Sequence, residues 1–434
     1  MNQRSGGKYK SIRRRNAGRR WLAPAVLIAV AGVIFWPGVA RADVEMITVP
    51  KAEWEAMKAA MSQLQQDVAE LKAERGQAPA PQPAPSGGGK NLLLPDISFI
   101  ANAKGKVSSD KRDGGRNELR LQEGEIGIQG YVYPNVKADA FITMSPKENS
   151  PAQIEEAYLT YIGITKGLSL NVGDKHVPFG RTNLVHSHSW LYVNPPLALR
   201  NLVSKDSLGA EGANLSYLVP GTGKFFVHAD AGLWTGGGPE DQSNPPNIAT
   251  GGGAGFEDRF ETARLAVSHP VGEDGEVEVG GSYAHGKAVA QETPIGTATV
   301  AAAPAPLGSV ALSGVDFTYR QYGKGGSRFL LRSEGIWHEL KGATQNRTAN
   351  GYYVLSNYRW DKYNDAGLLY DWSQFPQLIN EHESAWSVIY TRQFSEQYYV
   401  RFQGTHGNRP GDHSYNEAWL QFVWGVGPHT HNLE

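Results

Sequence analysis

The stretch YYVRFQGTHGNRPGDHSYNEAWLQFVW, residues 398–424, decides the fold. Tyr398, Val400 and Phe402 alternate with Tyr399, Arg401 and Gln403, and Leu420, Phe422 and Trp424 repeat the alternation on the far arm. A side-chain period of two belongs to a strand whose two faces meet different surroundings. Here the apolar set suits lipid and the polar set a wet lumen. Working outward, the chain from Asp96 to Trp424 divides into about sixteen such segments: 96–106, 118–131, 135–143, 153–163, 166–174, 208–219, 224–233, 257–269, 275–285, 310–320, 327–338, 350–360, 364–372, 383–393, 397–407 and 415–424. A tilted strand of ~9 to 11 residues crosses a bilayer core. The expected fold is therefore all-β, a 16-stranded antiparallel transmembrane β-barrel.

The connections support that count. Even-numbered ones are short and built of turn residues: Tyr133-Pro134, Thr165-Lys166, Pro220 to Gly223, Gly272 to Gly275, Gly323 to Gly326 and Phe394 to Glu396. Odd-numbered ones are mostly longer, including Gly236 to Gly255 and Gln291 to Gly308. Bacterial barrels have short periplasmic turns and long outer loops, so an even strand count puts both ends of the barrel in the periplasm. Trp337, Trp360, Trp372 and Trp386, near strand ends, are expected in interfacial girdles against outer-membrane lipid.

Residues 1–42 read as a secretory signal peptide. Met1 to Arg20 holds eight Lys or Arg and no acid, Trp21 to Trp36 is mostly apolar, and Ala40-Arg41-Ala42 supplies a cleavage site. Without this segment 33 basic residues face 43 acidic ones, so the positive footprint of a nucleic-acid binder is absent. No cysteine occurs, which excludes disulfides, thiolate metal sites and covalently attached haem. No cofactor is expected. Within residues 43–76, Trp54, Met57, Met61, Leu64, Val68 and Leu71 recur in steps of three and four, the a/d seam of a short periplasmic coiled-coil helix. One helix of that length is marginal in water, so oligomerisation is expected to cover the stripe. A Pro/Ala- then Gly-rich linker, 77–95, separates it from the barrel, 96–434.

The connection after the fifth segment, 175–207, is long and apolar. Leu184, Val185, Trp190, Leu191, Tyr192, Leu197 and Leu199 are too many to hang in water, and the segment is expected to pack inside the barrel as a constriction loop. At GDKHVPFGRTNLVHSHSW (Gly173 to Trp190), PPLALRN (Pro195 to Asn201) and GANLSYLVP (Gly212 to Pro220) the chain resembles porins of the phosphate-selective O/P superfamily. A similar branch carries the label zinc-regulated TonB-dependent outer membrane receptor, and a coiled coil ahead of the barrel is similar to the dicarboxylate-channel relatives. The resemblance covers about Asp96 to the C-terminus. It implies passive diffusion of small hydrophilic, often anionic solutes, a homotrimer, and an inward-folded loop after strand five. A TonB-dependent receptor needs about 22 strands and a folded plug, more chain than lies beyond Asp96.

Two features depart from the superfamily's pattern. The expected lumen is mixed, with Lys137, Arg264, Arg320, Arg332, Arg359 and Arg401 against Asp139, Asp230, Asp316 and Glu334, rather than a ladder of cations. The chain also ends in GPHTHNLE past Trp424, so the terminal aromatic read by the barrel-assembly machinery is missing.

Lys175, Arg181 and Arg200 are the cations expected at the constriction, where a narrow, low-dielectric channel strengthens their pull on anions. His186 and His188, two positions apart and preceded by His176, are the candidates for a metal. The loop itself offers no Asp or Glu before Asp206, so polar pore histidines and no metal are expected. His228 near Asp230 is an alternating strand pair, and no enzyme is expected. The alternative function is a structural or partner-sheathing barrel, a conduit or tether with a closed lumen. A metal-related uptake channel is a further one.

Overall fold

The computed structural model describes residues 95–113, 115–145, 152–204, 207–235, 256–289, 307–341, 346–376, 378–395, 397–411 and 413–428. The signal peptide, the coiled coil with Trp54, Met57, Met61, Leu64, Val68 and Leu71, and the linker to residue 94 lie outside the described residues.

Sixteen strands follow in chain order: β1 Asp96–Ser108, β2 Asn117–Tyr133, β3 Val136–Met144, β4 Gln153–Thr165, β5 Leu168–His176, β6 Gly209–Leu218, β7 Phe226–Thr235, β8 Phe256–Val271, β9 Gly275–Val289, β10 Leu307–Tyr322, β11 Arg328–Lys341, β12 Asn346–Asp361, β13 Asn364–Phe375, β14 Leu378–Ser395, β15 Tyr398–Arg409 and β16 His413–Val426. Each pairs antiparallel with the next, and β16 returns to β1 from Phe99↔Val426 to Ser108↔Glu417, so the barrel is closed. Closure leaves no strand edge with unpaired backbone, which lipid would not tolerate. Even-numbered turns are tight, as at 134–135, 166–167 and 362–363. The long odd connections join β5 to β6, β7 to β8 and β9 to β10, whereas two residues separate β13 from β14 and three separate β15 from β16.

The alternation places the faces as the sequence requires. On β15 Tyr398 and Phe402 are exposed, while Tyr399, Arg401 and Gln403 are buried. On β16 Tyr415, Glu417, Gln421 and Val423 face inward, with Trp424 outside. Trp337, Trp360 and Trp386 lie on the outer face, where Trp386 packs against Tyr370 at 4.4 Å and Trp360 stacks on Tyr390 at 6.1 Å.

The inner wall is mostly polar on β1 to β4, where Ile100 and Phe141 interrupt it, and more apolar on β10 to β14. Val310, Leu312, Leu330, Ile336, Leu355, Leu369 and Ile389 are buried, in phase with the inward charges Asp316, Arg332, Glu334 and Asp371. Apolar side chains on a wet face need a cover. The cover is the long segment between β5 and β6, whose Phe179, Val185, Trp190, Tyr192, Leu199 and Leu202 join them in one buried cluster. This loop holds single 3₁₀ turns at Thr182–Leu184 and Ser187–Ser189 and one short helix, α1 Leu197–Leu202. Helix α1 lies against β11, β12 and β13. Gly351 on β12 admits it, since a Cβ there would sit 3.0 Å from Ala198 Cβ.

Candidate functional site

The loop is fixed at its start by one carboxylate. Glu334 on β11 accepts the Arg181 backbone N–H at 3.2 Å, the Thr182 N–H at 2.8 Å, the Thr182 hydroxyl at 2.5 Å and the Tyr353 hydroxyl at 2.7 Å. The preceding Gly180 has φ of +64°, and its N–H donates to Ser282 Oγ at 3.0 Å. A Cβ at Gly180 would lie 2.3 Å from Glu334 Oε2, so only glycine provides both the left-handed turn and the close approach. Asn183 closes the neck: its amide donates to the Val177 and Leu208 carbonyls, and its oxygen accepts the Leu208 N–H at 2.6 Å. Further along, Gln403 accepts the Val193 N–H at 2.8 Å, and Glu383 holds both Arg200 and the Asn201 amide.

The residues singled out in the sequence divide between wall pairs and loop contacts. Arg264 is paired with Asp316 and donates to Ser282 at 3.0 Å. Asp230 accepts the Asn214 amide at 3.1 Å. Arg332 donates to Thr318 Oγ1 at 3.3 Å, and Arg401 donates to the Tyr192 carbonyl at 3.3 Å and to Gln421 at 3.1 Å. Of the three loop cations, Arg200 is half-buried and paired with Glu383. Lys175 lies over the Tyr158 ring at 3.9 Å, with Glu156 3.8 Å away. Arg181 reaches a different space, a cavity of about 610 Å³ lined also by Glu276, Glu278, Arg320, Arg328 and Arg359 beside the β10–β11 turn. Its Nε is 3.7 Å from Glu278. Four guanidinium groups against two carboxylates give that cavity a positive character.

His186 and His188 do not lie bare in the pore. Both are buried against carboxylates that the loop lacks but the wall provides: Glu123 and Glu125 on β2 and Glu155 and Glu156 on β4. His186 Nδ1 is 2.9 Å from Glu125 Oε2 and 3.4 Å from Glu155 Oε1, while its Nε2 is 2.9 Å from Glu156 Oε2. Burial favours the neutral ring, but the Glu155 charge and the hydrogen bonds to Glu125 and Glu156 outweigh it and hold His186 well above the ordinary histidine range. His188 Nδ1 lies 3.7 Å from both Glu123 and Glu125, and its backbone carbonyl accepts the Tyr399 hydroxyl. The carboxylates missing from the loop's own sequence thus come from the barrel wall. Strands β2 and β4 converge on the loop although they lie tens of residues from it in sequence, and an inward-facing Glu on a strand is the signal that could have found them.

No family model matches the chain. An uncharacterized protein of Aquifex aeolicus (strain VF5) is 27% identical over 152 residues, 30% of this chain and 32% of the relative, so the match spans about a third of that relative's length. Among solved structures the chain is similar to OmpT in trimer form, an outer membrane protein of Vibrio cholerae, with a TM-score of 0.50 at 14% identity over 77% of this chain and 99% of that one. It is also similar to an anion-selective porin from Comamonas acidovorans, with a TM-score of 0.52 at 11% identity over 77% of this chain and 100% of that one. At these identities the likeness concerns the fold, a closed porin-like barrel.

Proposed function

We propose that the protein is an outer-membrane porin that passes small hydrophilic solutes, anions in preference, by diffusion through a lumen narrowed by the loop between β5 and β6. The observation that carries the reading is that loop, folded against the inner wall of a closed sixteen-stranded barrel rather than lying outside it. Anion preference is supported by the cavity where Arg181, Arg320, Arg328 and Arg359 outnumber Glu276 and Glu278. A unit charge 4 Å from a guanidinium gains about 4 kcal/mol at an effective dielectric of about 20, against about 1 in water. Elsewhere in the lumen Arg264 pairs with Asp316, Arg200 with Glu383 and Lys175 with Glu156, so these charges shape the wall more than they attract solute.

The same reading takes residues 43–76 as the periplasmic coiled coil of a homotrimer; the likeness to an outer membrane protein in trimer form supports the trimer. It assigns no catalysis and no cofactor. The loop's apolar cluster favours one other reading, a barrel filled on one side and closed to solutes. Liposome swelling with purified protein separates the two. Arabinose and small monocarboxylates should enter, the carboxylates faster than amines of equal size, whereas liposomes that never swell would rule out the porin.

A further inference from the structure

The geometry points to a binding site for one divalent transition-metal ion at the root of the loop, held by His186 Nδ1, His188 Nδ1 and Glu125 Oε2. The inference rests on this cluster alone and not on the porin reading. All three side chains are buried, and their donor atoms lie within 4.8 Å of one another. Bonds of about 2.0–2.1 Å in tetrahedral array set neighbouring donor atoms ~3.3 Å apart. The separations from Glu125 Oε2 are 2.9 Å to His186 Nδ1 and 3.7 Å to His188 Nδ1, and the rest of the shell is left to water. The first is shorter and the second longer than that spacing, so an ion would draw the two rings toward a common point.

The surroundings match what a metal-binding imidazole needs. A ligating histidine hands its other ring nitrogen to a carboxylate, which fixes the ring and frees the first nitrogen's lone pair. Glu156 Oε2, 2.9 Å from His186 Nε2, occupies that position. The buried Phe141 ring, its centroid 5.1 Å from that of His186, covers the site on one side. Four carboxylates meet here, Glu123, Glu125, Glu155 and Glu156, while the fixed cations beside them among the described residues are Lys104 and Lys175. Binding releases the His186 proton to solvent, and with both imidazoles neutral the cluster then carries two excess negative charges, which a dication cancels. Imidazole and carboxylate together suit zinc, cobalt or nickel rather than the all-oxygen shells of magnesium or calcium. Glu155, whose side chain is 21% exposed, leaves a path from the cluster to solvent. A second triad, Glu155, His176 and His186, shares the central ring but is less enclosed. Because His186 and His188 belong to the loop and Glu125 to β2, the ion would tie the loop to the wall opposite its Glu334 anchor.

The test is titration of chelator-stripped full-length protein in detergent with Co²⁺, read by visible absorption, followed by displacement with Zn²⁺. Saturable bands at one ion per chain are expected. His188→Asn and Glu125→Gln should abolish them, Glu156→Gln should weaken affinity about tenfold through the supporting hydrogen bond, and His176→Asn should leave it unchanged. Heat-modifiable migration on gels confirms that each barrel is folded. If folded wild-type protein binds neither ion saturably, the cluster is a salt-bridge network and the site does not exist. Binding lost with His176→Asn but kept with His188→Asn would likewise overturn the assignment.

Discussion

Glu334→Ala removes the acceptor on which the loop is seated. One carboxylate takes four hydrogen bonds, from the Arg181 and Thr182 backbone N–H groups and the Thr182 and Tyr353 hydroxyls. A hydrogen bond to a charged group contributes about 1.5–3 kcal/mol, and a buried donor left without a partner costs about 1–3. The two hydroxyls lie 2.7 Å apart and can satisfy one another, which leaves two backbone donors orphaned. The seat should therefore weaken by about 3 kcal/mol, or roughly a hundredfold in the unseated population at about 1.4 kcal/mol per factor of ten. Trypsin reads this directly, because cleavage at Arg181 and Arg200 follows the open population when opening is fast relative to cutting. The variant should be cut roughly a hundredfold faster while its barrel stays heat-modifiable. Glu334→Gln, which keeps one carbonyl acceptor, should fall between. Equal cleavage of wild type and Glu334→Ala would refute the view that this carboxylate holds the loop.

Three other outcomes follow. Gly180→Ala adds about 1–2 kcal/mol of backbone cost at positive φ and drives a methyl into Glu334, so the same protease assay should show faster cleavage with the barrel intact. Asp110, between β1 and β2, is buried, which alone would raise its carboxyl, but the Arg112 backbone N–H and the Arg409 guanidinium outweigh burial and hold it below the usual range. A depressed folded pKa gives stability that is present above the unfolded value of about 3.9 and is lost as pH falls below it. Asp110→Asn should lower the melting temperature at pH 7, and the gap from wild type should close below about pH 4; a gap constant with pH would contradict this. Leu368, exposed on β13 beside the buried Leu369, should cost about 2–4 kcal/mol as Leu368→Arg if it lies near the bilayer midplane, measured by urea-dependent folding into vesicles.

The barrel was legible because its signal is local. Residues 398–403 state both faces of a strand within six positions, and strand spans read from such alternation differ from the observed ones mainly at the ends, as at β14, Leu378–Ser395, against 383–393. Partnerships across the lumen were not legible. Glu334 stands 152 residues from Thr182, and His186 61 from Glu125, so no window of sequence holds both members. The pairing of Arg200 with Glu383, 183 residues away, was out of reach for the same reason. One clue was nonetheless present: Leu330-Leu331, Leu368-Leu369 and Val388-Ile389 are apolar on both faces. A strand with lipid on one side and water on the other has no need of such pairs, so something apolar had to lie inside.

Single-channel recording of the purified protein in a planar bilayer under a salt gradient tests the central claim most directly. The account predicts discrete conductance steps arriving in threes and a reversal potential on the anion side, moved toward cations by Arg181→Glu with Arg359→Glu. A membrane that stays silent, or a cation-selective channel indifferent to those arginines, would contradict it.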